Sequence, residues 1–450
     1  MTDSTQTLGG GQLVAANEVF PTLKQNILVD GFHLVIDLER SSGATMVGAL
    51  ESKEYIDCYT YFATLPIGHN HPGMSDPEFQ QTLLRAAVAN PANSDVYSRE
   101  FASFVRTFRE IAVPEEYRYM FFVAGGALAV ENAMKAAFDW KSRKNQDQGI
   151  EGGGDRILHF REAFHGRSGY TLSVTNTDPT KTARFPRFDW PRVSNPKLSF
   201  PVDEEAVLAA EAASLAEIEG AFDRDPHGIA GILIEPIQGE GGDNHFRPEF
   251  LQALRRIADE RDALLIFDEV QTGMGTTGEM WAFQALGVRP DLVAFGKKTQ
   301  VCGIMSTGRI DEVEKNVFHV SSRINSTWGG NLVDMVRCAR YLEIIRDENL
   351  VAHAGRVGTY FRDRLVELED EFPGLVDNAR GRGMFLAFDL PDGGIRDGVR
   401  TGCWNAGLAT LNCGPRSLRF RPALIFSESD VDRSLAILRE ILRSAARGGG

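Results

Sequence analysis

Two ionisable residues follow apolar runs of the chain and could act on the same reacting group. Asp268 follows the run at residues 263–267, and Lys297 follows the run at residues 292–296. An amine can form a Schiff base with an aldehyde, and a carboxylate can keep a pyridine nitrogen protonated so that the ring accepts electrons. Together, Asp268 and Lys297 predict a site for a cofactor that carries both an aldehyde and a pyridine ring. Considered alone, the Asp268 carboxylate could simply accept hydrogen bonds from the backbone N–H groups of the next turn. The adjacent Lys298 could be the reacting amine instead of Lys297.

Two further segments could bind other parts of such a cofactor or its substrate. Residues 125–127 (Gly-Gly-Ala) follow one apolar run and open a helical pattern, and small residues at a helix N-terminus let a phosphate approach free backbone N–H groups. Phe164 and Arg167 follow another run. The phenyl ring could stack on a flat cofactor, and the guanidinium could hold a carboxylate in bidentate fashion. Glycines between a strand and a helix are also ordinary turn chemistry.

Two other motifs suggest different cofactors. Residues 273–278 (Gly-Met-Gly-Thr-Thr-Gly) match the GxGxxG fingerprint of dinucleotide-binding proteins. That fingerprint needs its first glycine directly after the strand and its acidic residue at the end of a strand, whereas Asp291 precedes its apolar run. We therefore disfavour a nicotinamide or flavin site. His69 and His71 have no third ligand at a recognisable spacing, so no metal site is predicted.

The elements that must position these residues alternate along the chain. Apolar runs are separated by longer amphipathic segments, and the first four or five residues of each run are predicted to be a fully buried strand. The intervening segments are long enough for crossover helices, so we predict an α/β fold with a mostly parallel central sheet. The predicted strands lie within residues 120–124, 156–160, 229–236, 263–269 and 292–296.

The pattern changes after about residue 335. Strands are predicted in residues 381–390 and 417–424, and helices in residues 331–347, 350–372, 393–407 and 427–446. This order predicts a smaller α+β domain. Ligands are then expected in the cleft between the domains, at the carboxyl ends of the parallel strands.

Composition excludes several other classes of protein. The 450 residues carry 48 Lys plus Arg against 62 Asp plus Glu, a net charge of −14, which argues against nucleic acid as a partner. No apolar run approaches the roughly 18 residues of a membrane span. Residues 1–11 have neither the basic start nor the apolar stretch of a secretory signal, and the five cysteines form no CxxC motif. We therefore expect a cytoplasmic protein with reduced thiols and no membrane partner.

Nine segments of the chain match one known family in the family's own order. They are GHNHP (68–72), GGALAVENAMKAA (125–137), AFHGRSGYTLS (163–173), EPIQGEGGD (235–243), LLIFDEVQTG (264–273), RPDLVAFGKK (289–298), STWGG (326–330), RGRGMF (380–385) and LRFRP (418–422). Over nearly its whole length the sequence therefore resembles the class III pyridoxal-phosphate aminotransferases. Within that family, residues 164–173, 185–192, 235–243 and 325–330 are most similar to the members that transfer the ε-amino group of L-lysine to 2-oxoglutarate, and next to those that use 4-aminobutyrate. An aminomutase or racemase with the same cofactor is a further alternative.

The resemblance implies the fold of type I pyridoxal-phosphate enzymes. It also implies an N-terminal segment (1–75) that contributes to the small domain and to dimer contacts, a large cofactor-binding domain (76–335) and a C-terminal small domain (336–450). The active form should be a homodimer, because Thr327 in this family reaches the phosphate in the neighbouring subunit. The other cofactor contacts implied are Lys297 as the Schiff-base residue, Asp268 at the pyridinium nitrogen, Gly126 and Ala127 at the phosphate, Phe164 on the ring and Gln271 near its hydroxyl.

Three residues are expected to bind the substrates, L-lysine and 2-oxoglutarate. Arg167 should hold the distal carboxylate of each, and Arg419 the proximal carboxylate of 2-oxoglutarate alone. Glu240 is the candidate partner that neutralises Arg419 while lysine is bound, although it could also be a solvated loop acid. The chain departs from the family pattern at Gly275-Thr-Thr-Gly278, where Gly-Arg-Thr-Gly is usual, and at Leu128, where an acidic residue is common.

Overall fold

The structure is a computed structural model that describes residues 7–8 and 11–448. The strands are β1 (Thr7–Leu8), β2 (Gly11–Gln12), β3 (Thr45–Val47), β4 (Glu54–Asp57), β5 (Tyr117–Val123), β6 (Arg156–Phe160), β7 (Arg192–Val193), β8 (Ile229–Ile234), β9 (Ile237–Gln238), β10 (Asn244–His245), β11 (Leu264–Asp268), β12 (Leu292–Phe295), β13 (Cys302–Thr307), β14 (Asp377–Arg382), β15 (Phe385–Asp389), β16 (Leu408–Ala409), β17 (Leu411–Cys413) and β18 (Ser417–Phe420). The α-helices are α1 (Val19–Leu23), α2 (Thr60–Ala63), α3 (Pro77–Ala89), α4 (Arg99–Ile111), α5 (Gly126–Asp147), α6 (Gly169–Val174), α7 (Pro179–Thr182), α8 (Glu204–Arg224), α9 (Pro248–Glu260), α10 (Ala282–Leu286), α11 (Leu332–Asp347), α12 (Leu350–Glu371), α13 (Gly393–Asn405) and α14 (Glu428–Gly448).

A seven-stranded sheet with the order β5-β13-β12-β11-β8-β6-β7 forms the centre of the molecule. Six of its strands run in the same direction, and β13 is antiparallel to both of its neighbours. Helices α5, α8, α9 and α10 lie between successive strands of the chain, as crossover connections require. The prediction of an α/β fold with a mostly parallel central sheet is confirmed.

The structure differs from the predicted sheet at one edge. Strand β13 was not among the predicted strands because Gly303 interrupts its apolar run, yet a Cβ at Gly303 would lie 2.3 Å from the carbonyl oxygen of Phe121 on β5. The close approach of the two backbones therefore requires the glycine. The prediction that the run at residues 120–124 is fully buried was wrong, since β5 forms the edge of the sheet and Met120 and Phe121 are only half-buried.

Helix α5 packs on the sheet through a face of small residues. Gly125 has a φ of 114°, in the range that favours glycine, and the helix begins at the next residue. The alanines along the buried face leave room for the helix axis to approach the strands, and Trp140 fills the space near its far end. This packing fixes the N-terminus of α5 beside the carboxyl ends of the strands. The fully buried alanines are Ala129, Ala133, Ala136 and Ala137.

Two smaller sheets contain strands from the C-terminal part of the chain. One is antiparallel with the order β14-β15-β18-β17, and the other has the order β16-β4-β3. The helices predicted at residues 331–347 and 350–372 are confirmed as α11 and α12. Pairing of β4 with β16 supports assigning the N-terminal segment to the small domain, and the domain boundaries at residues 75 and 335 stay a prediction.

Several properties of the described residues bear on the other sequence expectations. None of the described helices is long and apolar enough to span a membrane. All five cysteines are buried and free of disulfide bonds. His69 bonds to Asp57 at 2.8 Å and His71 lies 3.3 Å from Glu348, so the two imidazoles have different carboxylate partners.

The glycines of residues 273–278 serve backbone packing. A Cβ at Gly278 would lie 2.9 Å from the Cα of Gly355 on α12, so the loop and the helix meet without side chains between them. Asp291 accepts a hydrogen bond from the backbone N–H of Leu265 at 2.8 Å and pairs with Arg255 at 2.8 Å. The resemblance to a dinucleotide fingerprint therefore has a structural cause that involves no cofactor.

Helix α12 also packs closely against the loop between β14 and β15, and two helical glycines test this contact. Gly358→Ala on α12 should destabilise the protein by about 1–3 kcal/mol, because the new Cβ would lie 2.1 Å from the carbonyl oxygen of Gly383. Gly398→Ala on α13 has no neighbouring atom within 4 Å and should instead stabilise by about 0.5–1 kcal/mol. Thermal unfolding midpoints would measure both effects. A Gly358→Ala midpoint at or above that of the unmodified protein would contradict the packing argument.

Candidate active site

A cavity of about 480 Å³ opens at the carboxyl edge of the central sheet. It brings together all the residues predicted from the sequence to form the site except Thr327. Its walls also include aromatic and acidic residues that the sequence analysis did not single out. The predicted residues that line it are Gly126, Ala127, Phe164, Arg167, Glu240, Asp268, Gln271, Lys297 and Arg419, and the added ones include Tyr61, Phe62, His165 and Glu235.

Several cavity residues converge because they lie at or just after the carboxyl ends of strands in the central sheet. Asp268 is the last residue of β11 and pairs in register with Ala294 of the parallel strand β12, two residues before Gly296 and three before Lys297. Glu235 directly follows β8 in the same way. Carboxyl ends of parallel strands meet at one edge of a sheet, so these side chains reach a common space.

Asp268 is held by two hydrogen bonds in a buried position. Its Oδ2 accepts from Nδ1 of His165 at 2.8 Å, and its Oδ1 accepts from the backbone N–H of Val270 at 3.0 Å. Nε2 of His165 has no hydrogen-bond partner in the described part of the chain. Sequence reasoning missed His165 as the residue that orients Asp268, although it lies within the segment that contains Phe164 and Arg167.

Lys297 presents its amine to the cavity, and the pKa of this amine is lowered. Burial lowers the pKa of Lys297 to about 8, and the positive charge of Arg419 adds to the effect, while Glu240 and Asp268 oppose it. Its Nζ donates to the carbonyl oxygen of Phe62 at 3.2 Å. A substantial fraction of this amine is therefore neutral near pH 8, which an attack on an aldehyde requires.

Lys298 lies in a different environment from its neighbour. It is buried, its Nζ donates to the carbonyl oxygen of Gln271 at 2.7 Å, and burial lowers its pKa well below the ordinary value. Lys298 is not among the residues that line the cavity. The geometry thus favours Lys297 over Lys298 as the reacting amine.

The carbonyl of Phe62 is supplied by a left-handed turn. Residues 60–63 have φ values between 44° and 64°, an uncommon backbone conformation for residues other than glycine. The turn is supported where it begins, because the N–H of Thr60 donates to Asp57 at 2.7 Å and the Thr60 hydroxyl donates to the carbonyl oxygen of Arg421 at 2.6 Å. Such strain is commonest at functional sites.

Glu240 bridges two cations at the cavity wall. Its Oε2 accepts from Nη2 of Arg419 at 3.0 Å, and its Oε1 accepts from Nζ of Lys181 at 2.6 Å. Burial alone would raise the pKa of Glu240, but Arg419 and Lys181 hold it below its ordinary value. Nε and Nη1 of Arg419 have no hydrogen-bond partner among the described residues. Arg419 therefore has donors that Glu240 does not use. Lys181 was not predicted from the sequence.

Gln271 is fixed by a buried ion pair that the sequence analysis did not predict. Arg421 donates from Nε to the side-chain oxygen of Gln271 at 3.1 Å and from Nη1 to Asp243 at 2.8 Å. Its guanidinium lies 3.3 Å from the ring centre of Phe385. The side chain of Gln271 is thus oriented into the cavity by a rigid neighbour.

Glu235 links two segments of the cavity wall. Its carboxylate accepts from the backbone N–H of Phe164 at 2.9 Å and from that of Gly239 at 3.1 Å. Burial raises the pKa of Glu235 to about 7. The contacts tie the segment that carries Phe164 to the loop that carries Glu240.

Arg167 and Thr327 differ from the other predicted residues in their exposure. Arg167 lines the cavity but is exposed, with its guanidinium carbon 6.0 Å from the ring centre of Phe164. Thr327 is exposed on the loop at residues 326–330 and does not line the cavity of its own chain. The structure brings Arg167 to the site and leaves Thr327 outside it.

The residues present fit a phosphate-bearing pyridine aldehyde. The 22-residue helix α5 begins at Gly126, where a Cβ would lie only 3.0 Å from Val270, so the free N–H groups of its first turn stay accessible to an anion. A carboxylate, an amine of lowered pKa and an aromatic ring lie in the same cavity. Fold and site together define a pyridoxal-phosphate enzyme of fold type I.

Comparison with known proteins identifies the family of this chain within the class of pyridoxal-phosphate enzymes. The model of the family "Aminotransferase class-III" matches residues 29–442, and the chain belongs to this family, whose members use pyridoxal 5'-phosphate. The chain is 52% identical to an L-lysine-epsilon aminotransferase from Mycobacterium tuberculosis, over 96% of this chain and 97% of that protein. It is 50% identical to one from Streptomyces clavuligerus, over 96% and 95% respectively. A solved structure of the lysine aminotransferase from M. tuberculosis in the internal aldimine form covers 96% of this chain with a TM-score of 0.95 and 51% identity.

The lowered pKa of Lys297 predicts how cofactor capture depends on pH. The rate at which the cofactor-free protein takes up pyridoxal 5'-phosphate should rise with pH around a midpoint near 8, because only the neutral amine reacts. Arg419→Met should move the midpoint upward, since it removes a charge that disfavours protonation. Stopped-flow absorbance would measure both. Arg356→Met, which removes an exposed arginine on α12, is the control, and an unmodified midpoint near the ordinary lysine pKa would contradict the prediction.

Proposed function

We propose that this protein transfers the ε-amino group of L-lysine to 2-oxoglutarate by a ping-pong mechanism. The products are 2-aminoadipate 6-semialdehyde, which cyclises to 1-piperideine 6-carboxylate, and L-glutamate. The observation that carries the proposal is the Arg419–Glu240 pair in the cavity, because it can adapt one site to two unlike substrates. The names of the relatives that share half of its residues support lysine as the donor and do not favour the 4-aminobutyrate alternative.

Each cofactor-binding residue has a distinct role in this proposal. The N–H groups at Gly126 and Ala127 bind the phosphate, and the ring of Phe164 packs against the pyridine. Asp268, oriented by His165, keeps the ring nitrogen protonated through a charge-assisted hydrogen bond. When bound, the cofactor supplies an aldehyde and a ring that accepts electrons.

Two further residues would act beside the ring. Lys297 would hold the cofactor covalently through its Nζ. Once the substrate's amine has taken its place, the released Nζ would move a proton from the substrate carbon that bears the amino group. A pKa near 8 suits an amine that must both accept and return this proton. We assign Gln271, which Arg421 holds in place, to the ring hydroxyl.

The substrates impose opposite demands on the cavity. Lysine presents its ε-amine with the α-carboxylate far from the cofactor, whereas 2-oxoglutarate presents its keto group with a carboxylate close by. We assign the distal carboxylate of each to Arg167 and the proximal carboxylate of 2-oxoglutarate to Arg419. While lysine is bound, Glu240 neutralises Arg419, which would otherwise be an unpaired buried cation facing an apolar chain.

The quaternary structure and location are part of the same proposal. Thr327 lies on an exposed loop outside the cavity of its own chain, which supports a role at the phosphate of a neighbouring subunit in a homodimer. We expect the dimer in the cytoplasm, where the five free cysteines would remain reduced. No membrane or nucleic acid partner is part of the proposal.

The donor assignment can be tested directly. The purified protein with pyridoxal 5'-phosphate should convert lysine and 2-oxoglutarate to glutamate and a cyclic imine, which mass spectrometry identifies. Lys297→Ala should abolish turnover, and Lys298→Met should retain it because Lys298 does not line the cavity. A far faster reaction with 4-aminobutyrate than with lysine would contradict the donor assignment, and an inactive Lys298→Met beside an active Lys297→Ala would contradict the amine assignment.

The role of Glu240 predicts unequal effects on the two half-reactions. Glu240→Ala leaves Arg419 open, so it should slow the lysine half-reaction by about tenfold or more while affecting the 2-oxoglutarate half-reaction less. It should also let α-amino donors such as glutamate compete better. Single-turnover absorbance measurements resolve the two half-reactions. Equal losses in both would show that Glu240 does not distinguish the substrates.

A further inference from the structure

Lys181 is the second cation on Glu240, and neither the sequence motifs nor the proposed roles account for it. It lies on α7, and its side chain is 15% exposed. Its Nζ lies 2.6 Å from Oε1 of Glu240, 3.4 Å from the hydroxyl of Thr177 and 5.2 Å from the ring centre of Phe164. Each contact restrains the ammonium group beside the cavity wall. Lys181 is thus positioned independently of Arg419.

The two cations bind different oxygens of the same carboxylate. Arg419 contacts Oε2 and Lys181 contacts Oε1, so Glu240 can leave Arg419 without losing its contact with Lys181. Arg419 is 4% exposed and Glu240 is 29% exposed, so the carboxylate lies on the more open side of the pair. The carboxylate of Glu240 is therefore less confined than the guanidinium of Arg419.

We infer that Lys181 is a positioning residue that retains Glu240 when a dicarboxylate substrate displaces it from Arg419. This inference rests on the proposed function, in which one site accepts both lysine and 2-oxoglutarate. Lys181 then acts through Glu240 and makes no contact of its own with the substrate.

The charges determine which substrate the residue favours. While Glu240 bridges both cations, the attraction of Lys181 to Glu240 is offset by its repulsion from Arg419. Once a substrate carboxylate neutralises Arg419, that repulsion is cancelled and the attraction remains. Lys181 therefore stabilises the state that binds 2-oxoglutarate more than the state that binds lysine, which is the opposite preference to that of Glu240.

The test compares two ligands of equal chain length on the holoenzyme. Glutarate has two carboxylates and must displace Glu240 from Arg419, whereas pentanoate has one and leaves the pair intact. Calorimetric titration of Lys181→Met should give glutarate binding weakened by about two- to fivefold, the range expected of a partly exposed ion pair, and unchanged pentanoate binding. Lys181→Arg should restore glutarate binding.

A double variant separates positioning from direct contact. In a Glu240→Ala background, Lys181→Met should cause no further weakening of glutarate binding, because the residue it acts through is gone. The same weakening in that background would assign Lys181 to direct substrate binding and overturn the inference. Unchanged glutarate binding in the Lys181→Met single variant would also overturn the inference. Equal weakening of glutarate and pentanoate binding in that variant would overturn it as well. Lys197→Met, which removes an ion pair with Glu162 outside the cavity, is the matched control and should alter neither ligand.

Half-reaction kinetics supply a second measurement. Each half-reaction has a substrate concentration at which its rate is half-maximal. Lys181→Met should raise this concentration more in the half-reaction of glutamate and 2-oxoglutarate than in the half-reaction of lysine. A larger effect on the lysine half-reaction would overturn the inference. The glutarate titration involves no lysine and no turnover, so a failure of lysine as donor would be recognised separately from a failure of Lys181 as the retaining residue.

Discussion

The buried ion pair between Arg421 and Asp243 is the interaction on which the cavity depends. Both side chains are almost inaccessible, at 1% and 0% exposure, so removing either one would leave an unpaired buried charge at a cost of about 3–5 kcal/mol. The backbone N–H of Arg421 also donates to the carbonyl oxygen of Cys58 at 2.8 Å. Three distant parts of the chain, the N-terminal segment, the loop after β9 and the end of β18, are thereby joined at one point.

The positions of the cavity residues follow from this junction. Arg419 lies two residues before Arg421, so the two side chains leave the strand on the same side. Glu240 lies three residues before Asp243 in the loop between β9 and β10. Fixing the inner pair therefore brings the outer pair, Arg419 and Glu240, into contact. The same arginine orients Gln271, so one ion pair organises both the substrate side and the ring side of the cavity.

The arginine proposed to bind the proximal carboxylate also tunes the reacting amine. The chain has a net charge of −14, yet Arg167 and Arg419 line the cavity and Lys181 lies beside its wall. After burial, the positive charge of Arg419 is the next largest cause of the lowered pKa of Lys297. Substrate recognition and the chemistry of the amine thus share one electrostatic origin, and a change to Arg419 affects both.

The site residues that could be predicted from the sequence are those whose position follows from the strand directly before them in the chain. Asp268 and Lys297 directly follow apolar runs, and a parallel sheet brings such residues to one edge. The contacts of His165 with Asp268, of Glu235 with Phe164 and of Lys181 with Glu240 were not predictable from spacing, because they join segments whose separation in the chain carries no periodic signal. Strand β13 was missed for a related reason, since its glycine is required by a neighbouring strand and breaks the local pattern.

The two arginines at the end of β18 illustrate how burial separates a structural ion pair from an exchangeable one. Arg421 is saturated by Asp243 and Gln271, and Asp243 has no exposed surface through which another ligand could replace it. Arg419 has unpaired Nε and Nη1 atoms, and its partner Glu240 is partly exposed and has a second cation within reach. Breaking the first pair would leave a buried charge without a partner, whereas breaking the second would leave Glu240 in contact with Lys181. In the proposed function, only the second pair could therefore respond to which substrate enters the cavity.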